Sequence, residues 1–286
     1  MGAGGMLGTD LTRAARARPG LDVVPLTRAA LDVTDAGAVV ATLRAHRPAV
    51  VVNCAAWTAV DDAETREKEA AELNATAVGL LAQTAAELGA RLIQPSTDYV
   101  FPGTARTPYG VDAPTGPLSA YGRTKLDGER AALRHGHHVV RTAWLYGEAG
   151  RSFPRTMAHL EATRDTVDVV DDQLGQPTWT ADLAEALLDL GCSGADPGVH
   201  HLTNTGQTSW YGLAREVFAL LGADPDRVRP VGSAAFVRPA PRPSYSVLEP
   251  SRPLRGWREA LHAAWPELSR AWSARVVGQA VRMGGE

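Results

Sequence analysis

Short apolar runs alternate along the chain with longer stretches in which apolar residues recur every three or four positions. The runs at 21–26, 49–56, 91–96, 138–145 and 167–170 predict strands, rich in Val, Ile or Leu. Val50, Val51 and Val52 are apolar on consecutive residues, the pattern of a strand covered on both faces. Helical spacing fills the intervals. It spans 6–16 with Leu7, Leu11 and Ala15 on one face, and 36–46 behind Asp35 as cap. A long helix is predicted over 63–88, stopping at Gly89, and another over 121–134, ending near Gly136. This alternation predicts parallel βαβ units in a doubly wound α/β sheet. Later, 183–190 and 210–221 read as helices, and the Pro- and Arg-rich stretch 235–253 reads as a loop.

The chain opens Met1-Gly-Ala-Gly-Gly-Met-Leu-Gly8, and Gly2, Gly5 and Gly8 form G-x-x-G-x-x-G ahead of the first helix. Glycines there let backbone approach a pyrophosphate at a helix N-terminus. Such a motif is expected to follow a strand, and Met1 stands directly before the first glycine. The first, central strand is therefore expected to be missing from this chain. A natural start some residues upstream is favoured over a truncation.

Composition narrows the class. With 286 residues, 44% hydrophobic and 21% charged, the chain is long enough to bury a core in one large or two modest domains. A net charge of -3 argues against nucleic acid or an anionic membrane as main partner. No apolar run approaches ~18 residues, so no membrane span is expected. Cys54 and Cys192 lie far apart and make no metal-ligand pattern, and the chain reads as cytoplasmic and reduced.

Tyr121 and Lys125 lie four residues apart in Ser119-Ala-Tyr-Gly-Arg-Thr-Lys125. On a helix both side chains leave one face, one turn apart. An ammonium beside the phenol is expected to lower its pKa toward working pH. Such a tyrosine can protonate a carbonyl oxygen while a hydride reaches the carbon. The spacing alone is weak, since a solvated helix face shows it too.

The surrounding blocks make it specific. They are Asn53-Cys-Ala-Ala-Trp-Thr58 with Asp61 to Glu64, Ser96-Thr-Asp-Tyr-Val-Phe101, Pro117 to Lys125, Arg141-Thr-Ala-Trp-Leu-Tyr-Gly147, Asp172-Gln-Leu-Gly-Gln-Pro-Thr178, Asn204-Thr-Gly-Gln-Thr-Ser-Trp210 and Arg242-Pro-Ser-Tyr-Ser-Val-Leu248. Through them the chain resembles the extended short-chain dehydrogenase/reductases over nearly its whole length. Within that family it is most similar to the dTDP-4-dehydrorhamnose reductases. The resemblance implies a Rossmann NAD(P)-binding domain at 1–150. It also implies a smaller substrate-binding region at 151–286, interleaved with the last sheet elements.

The resemblance implies Thr97, Tyr121 and Lys125 as catalytic set, with Asn74 in support. It puts Gly2, Gly5, Met6, Leu7, Asp32, Val33, Ala55, Ala56 and Thr58 along the dinucleotide, with Tyr121 and Lys125 also reaching it. Asp98, Tyr99, Val100, Trp144, Gln176 and Arg242 are implied on the substrate side, Arg242 toward a diphosphate oxygen. Arg28 stands where an acidic residue would favour NAD, so a 2′-phosphate and NADPH are expected, with NADH left open. Some relatives bind Mg²⁺ at a dimer contact. No ligand set here maps to it, no metal site is assigned, and a homodimer stays open.

The expected reaction is reduction of the C4 ketone of a dTDP-4-keto-6-deoxy-sugar, typically giving dTDP-L-rhamnose. Another dTDP-deoxysugar would need the same motifs. A sugar-nucleotide dehydratase fits less well, because such relatives carry an acid where this chain has Tyr99. A non-catalytic dinucleotide-binding regulatory subunit is disfavoured by the intact Thr97, Tyr121 and Lys125.

Overall fold

A computed structural model describes residues 1–283, with side chains described through Trp272. The first half holds α1 (Met6–Ala17), α2 (Ala36–His46), β1 (Val50–Val52), α3 (Val60–Ala63), α4 (Glu67–Ala71), α5 (Ala77–Glu87), β2 (Arg91–Thr97), α6 (Ala120–Arg134) and β3 (His138–Thr142). Then come β4 (Leu145–Tyr146), α7 (Phe153–Thr163), β5 (Val167–Val170), β6 (Leu174–Gly175), β7 (Thr178–Trp179) and α8 (Thr180–Cys192). The chain continues through β8 (Gly198–His201), β9 (Thr208–Ser209), α9 (Trp210–Leu220), β10 (Val228–Val231) and α10 (Trp257–Met283).

The strands β1, β2, β3 and β8 pair in that order, all parallel. One face of the sheet is covered by α2 and α5, whose Val39, Leu43, Val78, Leu81 and Ala85 close on Val51, Leu92 and Val139. The other is covered by α1 and α8, with Leu7, Leu183 and Leu187 against Ile93 and Val140. Burial on both faces explains the unbroken valines of β1. A second apolar cluster joins α7, α9, α10, β5 and β10 around Val217, Phe218, Leu261 and Leu268.

Two expectations need correction. Residues 21–26 form no strand. Leu21 N donates to Arg18 O at 3.4 Å and Leu26 O accepts from Ala3 N at 3.0 Å, and among the described residues no strand pairs with the run to complete a ladder. Met1 takes the place beside β1: its amino group donates to Val52 O at 2.8 Å and its carbonyl accepts from Cys54 N at 3.1 Å. The helix expected over 63–88 is in fact broken. It divides into α3, α4 and α5, with a π-helical turn at Glu72–Thr76 joining the last two. Helical spacing in sequence does not register a turn widened by one residue, and such turns often mark functional sites. The long α10 was not foreseen.

Candidate active site

The glycine loop turns sharply into α1. Gly2 has φ +69°, and a Cβ there would stand 2.6 Å from Ala55 N. Gly8 lies against the Gly2 carbonyl with no room for a side chain. The loop is thereby pressed onto residues 53–56. The first turn of α1 has no side-chain cap and no acidic residue, so its amides and dipole face outward unopposed. Met6 is half-buried, Leu7 is buried, and Gly5 is the exposed N-cap. Val33 is buried, while Asp32 accepts from both Thr34 N and its hydroxyl. Arg28 is 90% exposed, 3.5 Å from Asp32. Ala55 and Ala56 are half-buried, and Thr58 is exposed.

Thr97 ends β2, at the carboxyl edge where open α/β sheets take ligands. Its Oγ1 donates to Asp98 Oδ1 at 2.9 Å and accepts from Tyr99 N at 3.1 Å. Tyr121 lies in the first turn of α6, and its phenol lies beside the Thr97 hydroxyl. Lys125, one turn on, is buried and donates to Pro95 O at 2.7 Å. So Thr97, Tyr121 and Lys125 come together at this edge of the sheet.

Their electrostatics differ from the expectation. Burial pushes the Tyr121 phenol up to about 12; the Thr97 hydroxyl pulls against it, and the Asp98 charge adds a smaller push. Lys125 is not among the groups acting on it. Burial lowers Lys125 to about 8, with the Glu129 charge opposing. The ammonium faces a backbone carbonyl, and desolvation outweighs pairing. Burial likewise raises Asp98 to about 6, while the neighbouring Ser246 and Thr97 hydroxyls oppose.

Two glycines and an asparagine seat α6. Ser119 caps it by accepting from Gly122 N, and Glu64 accepts from Ala120 N at 2.8 Å. A Cβ on Gly122 would strike Tyr99 O, and one on Gly128 would strike Asn74 O. Asn74, in the π-helical turn, accepts from Trp57 N at 2.9 Å and donates to Thr124 Oγ1 at 3.1 Å. It ties the 53–58 loop to α6 and touches neither Tyr121 nor Lys125 by hydrogen bond.

On the far side, Tyr99 stands edge-on to Tyr121, with ring centroids 6.0 Å apart. Val100 is fully buried in an apolar cluster. Trp144 adopts φ +46° and stacks on Trp210 with centroids 3.5 Å apart. Gly175 packs against its indole so closely that a Cβ would collide. Gln176 is buried and gives both ends of its amide to Leu248, accepting from its N at 2.7 Å and donating to its O at 3.1 Å. Arg242 pairs with Asp61 at 2.9 Å, and Asp61 also accepts from Ala240 N. Asp61, Ser246 and the buried Glu129–Arg141 pair at 2.8 Å went unassigned from sequence. Asp61 sat within a quoted motif, but nothing local signalled partners so far along the chain.

The family model described as the RmlD substrate binding domain matches residues 1–269. A Streptomyces antibioticus protein named as a probable dTDP-4,6-dihydroxy-2-methyloxan-3-one 4-ketoreductase is 56% identical, over 94% of this chain and 95% of its own. A Streptomyces griseus dTDP-4-dehydrorhamnose reductase is 53% identical, over 93% and 92%. The crystal structure of dTDP-4-dehydrorhamnose reductase from Bacillus anthracis in complex with NADP superposes with TM-score 0.89 at 33% identity, covering 93% of this chain and 97% of that one. The chain belongs to the dTDP-4-dehydrorhamnose reductase (RmlD) family of NAD(P)H-dependent oxidoreductases.

Proposed function

We propose that this enzyme reduces the C4 ketone of a dTDP-4-keto-6-deoxy-sugar using NADPH, with dTDP-4-dehydro-L-rhamnose as substrate and dTDP-L-rhamnose as product. The observation that carries this reading is the meeting of Thr97, Tyr121 and Lys125 at the carboxyl edge of β2. When bound, the reduced nicotinamide supplies a hydride. The residues around the α1 N-terminus suit such a dinucleotide: the uncapped first turn favours a pyrophosphate, and no carboxylate opposes it.

Tyr121 is the general acid. Because its phenol is held protonated, it can donate to the carbonyl oxygen as charge develops there. Thr97 orients that phenol. Lys125 sits where its ammonium can turn from Pro95 O to a ribose hydroxyl and lower the phenol's cost of ionising. Arg28, exposed and weakly engaged, is free to meet a 2′-phosphate, which favours NADPH over NADH. Arg242 exchanges Asp61 for a diphosphate oxygen, while Gln176 acts by holding residue 248 rather than by direct contact.

A second reading, a 4-ketoreductase for another dTDP-deoxysugar, is supported by the similarity to the Streptomyces antibioticus protein. One assay separates them. Purified enzyme is given NADPH and dTDP-4-keto-6-deoxyglucose, with and without a 3,5-epimerase, and nicotinamide absorbance is followed. Oxidation that requires the epimerase is expected. Oxidation without it favours the second reading, and silence in both arms contradicts both.

A further inference from the structure

Asp98 is a buried carboxyl with an unusual set of neighbours. It is 2% exposed, and its Oδ2 has no hydrogen-bond partner. Its Oδ1 meets the Thr97 hydroxyl at 2.9 Å, and the same hydroxyl meets the Tyr121 phenol. Thr97 and Tyr99 face it from its own segment, Tyr121 from α6 and Ser246 from the 244–248 segment. Arg242 and Asp61 act on Tyr99 beyond it. A carboxylate with one oxygen desolvated and unpaired is costly, whereas the neutral acid leaves only a carbonyl oxygen unpaired.

We propose that Asp98 is the proton store of this site, feeding Tyr121 through the Thr97 hydroxyl. The proposal rests on Tyr121 being the acid of the reduction. Before reaction the carboxyl O–H donates to Thr97 Oγ1, and the Thr97 O–H donates to the phenol oxygen. The phenol's own proton points to the ketone. Tyr121 gives that proton to the sugar oxygen as the carbon receives its hydride. The phenolate takes the Thr97 proton, and Thr97 takes the proton of Asp98. Three protons have each moved one group, a net transfer of one proton from Asp98 to the sugar oxygen, and Asp98 is left as carboxylate. Thr97 then donates to Asp98, the direction its hydroxyl takes toward the ionised carboxylate, and can accept from Tyr121. Tyr99 N keeps the Thr97 oxygen in place through either state. Solvent restores the Asp98 proton when product leaves. Asp98 is thus a positioning and relay residue acting through Thr97.

Two readouts test it. Infrared spectra of protein carrying carboxyl-labelled aspartate, taken without substrate, are expected to show a protonated-acid band that titrates near pH 6 and is absent from Asp98→Asn. In pH profiles of kcat, an inflection at the same pH is expected, lost in Asp98→Asn together with about a hundredfold in kcat at unchanged KM. Thr97→Val should keep the band while losing the inflection, which serves if Asp98→Asn does not fold. No titrating band, or an Asp98→Asn profile like that of wild type, overturns the relay. If wild type turns over no ketosugar, the enzymatic reading fails instead, and the infrared result still decides whether Asp98 stores a proton.

Discussion

Burial acts on Lys125 and Tyr121 in the same physical way and with opposite sign, shifting each toward its neutral form. For Lys125 this has a stability consequence. Its folded-state pKa of about 8 lies below the ordinary 10.5, so the folded chain gives up the proton more readily than the unfolded chain. The buried ammonium therefore costs stability below about pH 8, and the cost fades as pH rises from there to the ordinary lysine value. Lys125→Met should stabilise the ligand-free protein by about 2 kcal/mol at neutral pH, an advantage that vanishes in alkaline denaturation titrations. The same variant should lose turnover. At Arg28 the prediction concerns selectivity. Arg28→Glu should lower kcat/KM for NADPH by about tenfold or more and leave that for NADH unchanged or higher, measured by parallel steady-state assays. Equal effects on both cofactors would remove Arg28 from the 2′-phosphate site.

At the scale of elements, the site depends on how α6 approaches β2 and the π-helical turn. Gly128 allows that approach, and Gly128→Ala would push a methyl into the Asn74 carbonyl, which belongs to backbone and cannot swing aside. The expected cost is about 1–3 kcal/mol in denaturant unfolding, with reduced turnover because Thr124 and Asn74 separate. Much of this level was legible in sequence. Asp35 and Ser119 both cap their helices, and Gly89 with φ +70° follows the end of α5. What local pattern could not reveal were features set by contacts distant in the chain. The π-helical turn is one. The loss of strand character at 21–26, which has β-type residues and no neighbour to pair with, is another. The stacking of Trp144 on Trp210 is a third.

For the whole molecule, the parallel sheet fixes where chemistry can occur, because β2 ends where α1 and α6 begin their first turns near the same edge. Motif spacing predicted the residues that gather there. It did not predict their protonation, since burial and desolvation belong to the assembled fold and not to any segment. The buried Glu129–Arg141 pair shows this well: Glu129 also accepts from Ser96 Oγ at 2.5 Å and opposes the desolvation of Lys125. It links α6, β2 and β3 directly behind the candidate active site.

The central claim is that a hydride reaches C4 of a dTDP-ketosugar with Tyr121 supplying the proton. It is tested most directly with NADPH deuterated at the transferring position, dTDP-4-dehydro-L-rhamnose, and wild-type or Tyr121→Phe protein, with the product read by NMR. Deuterium at C4 in the wild-type product is predicted, with formation slowed about a hundredfold or more in Tyr121→Phe while NADPH still binds. A product without deuterium at C4, or a Tyr121→Phe rate near that of wild type, would contradict the account.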